Sequence, residues 1–154
     1  MAQSSAGIKL YYGQSTDGKA KPATWTEIPD VTAIPALGGE PNMLDCTPLS
    51  ETVQKQYIPG LKDPGGALGY TVNMTPEMLT ATDAASTVPK SPAKMAFAVE
   101  FPAPLSCHYW YFGSGVNVTP GETEVDAVVT STFYTSVEST ITKVTGPVTP
   151  STGK

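Results

Sequence analysis

Proline and glycine interrupt this sequence so often that few stretches can hold a long helix. The 154 residues include 15 prolines and 14 glycines, and proline disrupts both helix interiors and central strands. Helix-start signals are found at Thr75, which can cap a helix, at Pro76 in the first helical position and at Glu77 in the first turn. Pro89 ends any helix that begins there. The sequence therefore predicts one short helix among short strands joined by turns.

Alternation of apolar and polar side chains marks the strands. Residues 67–74 and 94–101 show the clearest period of two, which places one face of each strand in a core. An aromatic strand over 107–118 is expected to bend or bulge at Gly113 and Gly115. Shorter strand-like runs lie at 8–12, 25–28, 42–47 and 140–144. Proline and glycine predict a connector over 29–39, and a tail rich in proline, threonine, serine and glycine is expected to be flexible over 146–154.

The charge balance argues against several classes of function. The formal net charge is −5, and every cation is a lysine, so arginine, which suits bidentate phosphate and guanine contacts, is missing. No apolar run approaches the ~20 residues of a membrane span, and the first residues do not resemble a secretory signal. We therefore expect a cytoplasmic start and no membrane partner. Cys46 and Cys107 are then expected as half-buried thiols, with a disulfide between them as the alternative.

Motifs for catalysis or cofactor binding are not found. The chain lacks the Gly-x-Ser-x-Gly elbow and the Gly-rich phosphate loops, and two cysteines with one histidine cannot build a usual zinc site. His108 shares a strand face with Trp110 and Phe112, which favours a packed side chain over a catalytic one. We expect no enzyme activity, no catalytic residue, no metal and no cofactor.

The segment 48–66 is unusual because it is long, rich in proline and glycine, and still apolar. Its apolar residues are Leu49, Val53, Tyr57, Ile58 and Leu61. Structureless loops longer than about 12–15 residues are uncommon in compact domains and are usually functional or disordered. Two interpretations stand, namely a solvated surface loop or a loop that buries these side chains on another subunit.

Three carboxylates form the most notable group of charges. Residues 122–135 have the pattern of the longest strand. Its apolar face carries Val125, Ala127, Val129 and Phe133. Glu122, Glu124 and Asp126 fall on the opposite face, about 6.6 Å apart per step, which is too far for a shared proton. They form either a solvated outer face or a wall that repels phosphates.

Four segments, taken in order, resemble the major tail tube proteins of long-tailed, non-contractile bacteriophages. They are WTEIP at 25–29, IPALGGEPN at 34–42, LDCTPLSE at 44–51 and YIPGLKD at 57–63. A strand with Gly69 and Tyr70 follows them. None of these motifs is catalytic, so the likeness lies in their order.

The resemblance implies a mainly β fold. An antiparallel β-sandwich over residues 1–145 would carry one short flanking helix and a long inter-subunit loop, followed by the flexible tail. Asp63 would join the five apolar loop residues at the subunit interface, and Glu122, Glu124 and Asp126 would line the lumen or its rim. Six copies would form a ring, and stacked rings would form a tube that conducts double-stranded DNA.

The resemblance also implies partners and a location. Further copies, the tape-measure protein and the tail-tip and tail-terminator proteins would be the partners, with DNA passing without sequence preference. The chain would act in the virion and would be found in the host cytoplasm before assembly. Two alternatives stay open. One is a tube subunit of a type VI secretion system or another phage-derived injection device. The other is a β-sandwich binding or adhesion module that uses aromatic residues 108–112.

Overall fold

The computed structural model describes residues 7–37, 43–60, 67–121, 125 and 127–148. These residues form eleven strands and one helix. The strands are β1 (Lys9–Ser15), β2 (Thr26–Ile28), β3 (Val31–Ala33), β4 (Met43–Asp45), β5 (Tyr57–Pro59), β6 (Ala67–Asn73), β7 (Lys94–Phe101), β8 (Cys107–Phe112), β9 (Gly115–Pro120), β10 (Thr130–Ser136) and β11 (Thr142–Thr145). The helix is α1 (Pro76–Ala85).

Two antiparallel sheets pack against each other across the core. The first has five strands in the order β11-β8-β7-β1-β2, and the second has four in the order β3-β6-β10-β9. In the described part of the chain, β4 and β5 pair only with each other. This architecture confirms the predicted mainly β, antiparallel fold with one helix.

The core is built from alternate residues of both sheets. Phe97 and Tyr111 reach it from the five-stranded sheet, and Tyr70 and Phe133 reach it from the four-stranded sheet. Phe97 contacts Tyr111 and Phe133 with ring centroids 5.9 Å and 6.0 Å apart. The Tyr111 hydroxyl lies 2.7 Å from the hydroxyls of both Tyr70 and Thr135. These buried hydroxyls therefore have hydrogen-bond partners inside an otherwise apolar core.

The predicted helix is confirmed in place and in its first turn. Thr75 is the N-cap residue, and its side-chain oxygen accepts a hydrogen bond from the Met78 backbone N–H at 3.1 Å. The same hydroxyl donates to Asp30 Oδ2 at 2.6 Å, which ties the helix start to the connector before β3. The helix buries Met78, Thr82 and Ala85 against the sandwich.

The aromatic run becomes two strands in two different sheets. β8 lies in the five-stranded sheet between β7 and β11, and β9 is an edge of the four-stranded sheet. The chain crosses at Gly113, where an added Cβ would lie 2.0 Å from the Ser136 carbonyl oxygen. The predicted bend is therefore confirmed, although one strand was expected. His108, Tyr111 and Phe112 are buried, so the run is not an exposed adhesive surface.

The prediction of a long strand over 122–135 is wrong at the described residues before Thr130, namely 125 and 127–129. The Gly121 N–H donates to the Thr130 carbonyl oxygen at 2.8 Å, which closes a hairpin, and β10 begins only at Thr130. Phe133 is buried as predicted, but Val125 is 92% exposed and Val129 is 45% exposed. Both neighbouring strands end here, because Thr130 pairs with Asn73, the last residue of β6, and Ser131 pairs with Pro120, the last residue of β9.

Two predicted loop regions contain ordered structure. The connector 29–39 includes β3, which pairs with β6. In the predicted flexible tail, Gly146 N–H donates to Ser106 O at 2.7 Å, and Val148 is only 2% exposed. Residues 146–148 are thus docked on the sandwich. The flexible tail stays a prediction for residues 149–154, which lie outside the described residues.

Candidate assembly surfaces

The segment predicted as an interface loop contains a β-hairpin. β4 and β5 pair through Met43 with Pro59, Leu44 with Ile58, and Asp45 with Tyr57. The prediction of an element-free segment over 48–66 is therefore wrong at β5. Pro59 argued against a strand there, but proline is tolerated at a strand end on an unpaired edge.

The hairpin exposes apolar side chains on both of its faces. The exposed fractions are Met43 52%, Leu44 49%, Leu49 106%, Val53 90%, Tyr57 56% and Ile58 49%. Four of these residues belong to the predicted interface, namely Leu49, Val53, Tyr57 and Ile58, and all four are exposed in the single chain. Leu61 and Asp63 lie outside the described residues. Met43 and Leu44 were missed, although the strand predicted over 42–47 contained them.

The connection between β4 and β5 is closed by hydrogen bonds at its base. The Cys46 N–H donates to the Gln56 carbonyl oxygen at 2.9 Å, and the Gln56 N–H donates to Thr47 Oγ1 at 2.7 Å. Asp45 Oδ1 accepts from the Thr47 hydroxyl and backbone N–H at 2.7 Å and 3.0 Å. These two bonds, the hydroxyl first, lower the pKa of the Asp45 carboxyl.

A second carboxylate orders the tip of the same connection. Glu51 Oε1 accepts from the Val53 N–H at 2.8 Å, and Glu51 Oε2 accepts from Gln56 Nε2 at 3.3 Å. The bond from Val53 is the main cause that lowers the pKa of the Glu51 carboxyl. The Glu51 carboxylate therefore joins Val53 and Gln56 across the tip, while the Leu49 and Val53 side chains are exposed.

An open apolar cleft lies where the two sheets meet at one edge of the sandwich. Its volume is about 600 Å³. Its lining comes from four parts of the chain and contains no charged residue: Ile8, Val31, Thr32, Ala33, Ile34, Pro35, Ala36, Leu37, Phe101 and Tyr109. Ile34, Leu37 and Phe101 also pack against the buried core, so the cleft lies directly beside the core.

The three carboxylates predicted to line the lumen, Glu122, Glu124 and Asp126, lie outside the described residues. The strands of the four-stranded sheet contain no charged residue. Thr71, Thr132 and Thr119 stand in register across β6, β10 and the edge strand β9.

The two cysteines differ from the expected half-buried pair. Cys46 is exposed beside β4, Cys107 is buried in β8, and both are free. Among the described residues, no group of three or more His, Cys, Asp or Glu side chains is placed to hold a metal ion. In the same described ranges, no helix has both the length and the apolar character that a membrane crossing needs.

The predicted packed position of His108 is confirmed. Its ring is 1% exposed, with Nδ1 2.9 Å from the Gly146 carbonyl oxygen and Nε2 2.6 Å from Lys21 Nζ. Neutral His108 can donate from Nδ1 and accept from Lys21 at Nε2. Burial is the main cause that lowers the His108 pKa, with a smaller contribution from Lys21. The contact therefore favours the neutral ring.

Sequence comparison decides the family. The family described as "Phage tail tube protein, TTP" matches residues 9–146, which includes both sheets, the helix and the hairpin. The chain belongs to this family. The predicted resemblance to tail tube proteins is confirmed, and the family is a structural component of phage tails. No curated protein sequence matches the chain.

Solved structures show the same fold at low sequence identity. A chain of the anti-feeding prophage baseplate, six-fold symmetrised, has a TM-score of 0.64 at 11% identity, covering 94% of this tail tube chain and 98% of its own. A chain of the sheath/tube terminator of the extracellular contractile injection system PVC has a TM-score of 0.64 at 7% identity, and the match covers 94% of this tail tube chain and 97% of that chain. A chain of the anti-feeding prophage tube-terminating cap has a TM-score of 0.58 at 10% identity, and the match covers 95% of this tail tube chain and 94% of that chain.

Proposed function

We propose that the chain is a structural virion protein whose copies form hexameric rings, and that these rings stack into a tail tube that conducts double-stranded DNA from capsid to host. The family match over residues 9–146 supports the structural role. The observation that carries self-assembly is the hairpin of β4 and β5, whose six large apolar side chains are uncovered in the single chain. Large contiguous apolar patches on a soluble chain mark interaction sites.

The energy available from this hairpin is of the right size for assembly. Complete burial of one large apolar side chain contributes about 1.5–3 kcal/mol. Association costs an estimated 4–15 kcal/mol or more, so several side chains must be buried together. In a head-to-tail ring each copy has two neighbours and therefore two interfaces. When the ring closes, the apolar surface of every copy is buried.

The charge of the chain supports passage of DNA without tight binding. The net charge of −5 repels phosphates, and the charge-free strands of the four-stranded sheet offer them no cation. The ends of the tube would contact the tape-measure, tail-tip and tail-terminator proteins. Before assembly the subunit would reside in the host cytoplasm.

A tube subunit of a phage-derived injection device is the second candidate. The observation that favours it is the fold likeness to chains of the anti-feeding prophage and of the contractile injection system PVC, with TM-scores of 0.58 to 0.64. Particles purified from the producing cells separate the two candidates. Tails joined to DNA-filled capsids support the first, and tubes in DNA-free particles support the second.

Negative-stain microscopy over a range of concentrations tests self-assembly. The wild-type chain should give rings or tubes, and Tyr57→Ala with Ile58→Ala should give a folded chain that forms neither. Val88→Ala with Val116→Ala is the matched control, because it truncates exposed apolar residues away from the hairpin. The proposal fails if wild-type chains stay monomeric even in cells that make the other tail proteins, or if the hairpin variant assembles as well as the control.

A further inference from the structure

We propose that the apolar cleft receives the β4–β5 hairpin of a second copy of this chain. The inference rests on the proposed self-assembly and deepens it, because it names the two surfaces that meet. One surface projects and the other is recessed. Each copy therefore gives a hairpin to one neighbour and accepts a hairpin from another, which is a head-to-tail contact.

The cleft has the chemistry of a receiving surface. Ile34 and Leu37 form part of its floor and pack on the core while staying partly exposed. Phe101 and Tyr109 line it as an edge-to-face pair, with centroids 5.8 Å apart and planes at 86°. No lining residue is charged. An occupant that carried a charge into this cleft would lose its hydration without gaining an ion-pair partner, so the cleft favours an apolar one.

The hairpin has the chemistry of that occupant. A two-stranded hairpin on its own is marginally stable in water. Here Leu44 and Ile58 lie on one face and Met43 and Tyr57 on the other, and all four are about half exposed. The paired strands themselves carry only one charged residue, Asp45. An apolar recess is therefore the kind of surface that would stabilise this hairpin.

The occupant comes from another copy, because the hairpin does not fill the cleft of its own chain. In the single chain the cleft is open and the apolar side chains of the hairpin are exposed. Leu37 and Met43 are joined by a segment that can span at most ~20 Å. A hairpin folded back onto its own cleft is thus the competing arrangement, and the experiment must separate it from exchange between copies.

Thiol cross-linking between two kinds of copy makes that separation. One copy keeps its native exposed Cys46 beside the hairpin. The other carries Cys46→Ser with Ala36→Cys, which places a thiol in the cleft at an exposed lining residue. The two copies bear tags of different size and are joined with a short bis-maleimide. We expect a covalent heterodimer, several-fold more abundant than with the control copy, Cys46→Ser with Val88→Cys.

The results that would overturn the inference are specific. Equal yields with Ala36→Cys and Val88→Cys would show random collision. A chain that carries both Cys46 and Ala36→Cys and links only to itself, with no heterodimer in the mixture, would show that the hairpin fills its own cleft.

A charge in the cleft gives an independent test. Ala36→Glu should leave the melting temperature unchanged, because Ala36 is exposed, and should abolish rings and tubes; Val88→Glu should permit them. Wild-type tubes together with normal assembly of Ala36→Glu would refute the cleft as the receptor while leaving the proposed function intact. Failure of the wild type to form tubes would instead count against the proposed function, and the cross-link would still report contact between copies in solution.

Discussion

The sandwich and the hairpin use the same kinds of residue and treat them in opposite ways. Phe97 and Tyr111 in the sandwich are 0% exposed, and the Tyr111 hydroxyl has two partners within the core. Tyr57 and Ile58 in the hairpin are 56% and 49% exposed and belong to a sheet of only two strands. The sandwich satisfies its apolar side chains within one chain, whereas the hairpin does not.

This difference separates folding from assembly within one sequence. Substitutions in the sandwich should change the free energy of unfolding, and assembly should fail only because folded chains are lost. Substitutions in the hairpin should leave unfolding nearly unchanged and should act on assembly directly. Variants of the sandwich and of the hairpin should therefore be measured for both the free energy of unfolding and assembly. The measurements test whether folding and assembly are as independent as the burial of the two regions indicates.

Truncation of the central core ring should have the largest effect on stability. Phe97→Ala removes a fully buried ring that contacts rings of both sheets, and such changes cost about 3–5 kcal/mol. Urea unfolding should show this loss. Tyr57→Ala is the matched aromatic truncation in the hairpin and should cost far less. Similar losses for the two variants would show that the hairpin is part of the folding core.

Removal of one buried hydroxyl should have the next largest effect. Tyr111→Phe takes away the partner of both Tyr70 and Thr135, and a buried polar group left without its partner costs about 1–3 kcal/mol. Burial already raises the pKa of Tyr111 to about 12, so the result should not depend on pH near neutrality. Tyr134→Phe, on the partly exposed face, is the control. An unchanged unfolding midpoint would mean that the hydroxyls find other partners.

Acidification should weaken the sandwich through His108. Its pKa is lowered in the folded chain, so the unfolded chain takes up the proton first. The contribution of His108 to the free energy of unfolding is then fully present above the ordinary histidine pKa of about 6.5. It is lost progressively as the pH falls below that value. Thermal unfolding between pH 7.5 and 5 measures this loss, and His108→Gln should flatten the curve in that range. An equally steep curve for the variant would assign the loss to other groups.

The hairpin tip should have almost no effect on stability and a large one on assembly. Leu49→Ser with Val53→Ser changes two side chains that are 106% and 90% exposed, so unfolding should shift by no more than about 0.5 kcal/mol. Light scattering should nevertheless show slower or absent tube growth if the tip lies in the interface. Growth at the wild-type rate would restrict the interface to β4 and β5.

Charge reversal of Glu122, Glu124 and Asp126 should have the smallest effect on folding. Glu122→Lys, Glu124→Lys and Asp126→Lys together should leave unfolding unchanged but should slow DNA ejection, most strongly at low salt, if these residues reach the channel or its rim. Glu77→Lys with Asp83→Lys on the exposed side of α1 is the control. Normal ejection through well-formed mutant tubes would place the three carboxylates outside the channel.

Local signals were sufficient for the parts of the fold that local interactions determine. Thr75 and Pro76 fix where the helix begins, and the period of two over 67–74 identifies the buried face of β6. The same pattern over 94–101 is only half right for β7, because Ala96 and Ala98 on its other face are also fully buried, in a second cluster with Trp25. The start of β10 was predicted wrongly because Val125 and Val129 favour strands, whereas both partner strands, β6 and β9, end opposite Thr130 and Ser131. Strand ends depend on a partner that the segment itself does not encode.

The candidate surfaces divide in the same way. Apolar residues in a segment rich in proline and glycine were enough to single out Leu49, Val53, Tyr57 and Ile58. The cleft could not be predicted, because its lining joins Ile8, residues 31–37, Phe101 and Tyr109 only after both sheets have formed. Docking of Val148 was missed for a similar reason, since its backbone N–H donates to Glu100 on a distant strand.

The crossing between β8 and β9 has a mechanical consequence. The chain passes from one sheet to the other at Gly113 and Ser114, whose N–H groups donate to the Met95 carbonyl and to Ser136 Oγ at 3.0 Å each. The two sheets are therefore joined by a short covalent link that is itself anchored to both layers, and they are not held by packing alone. Under axial load, sliding of one layer over the other would have to rupture these anchors, so the wall built from such subunits should resist shear at this corner.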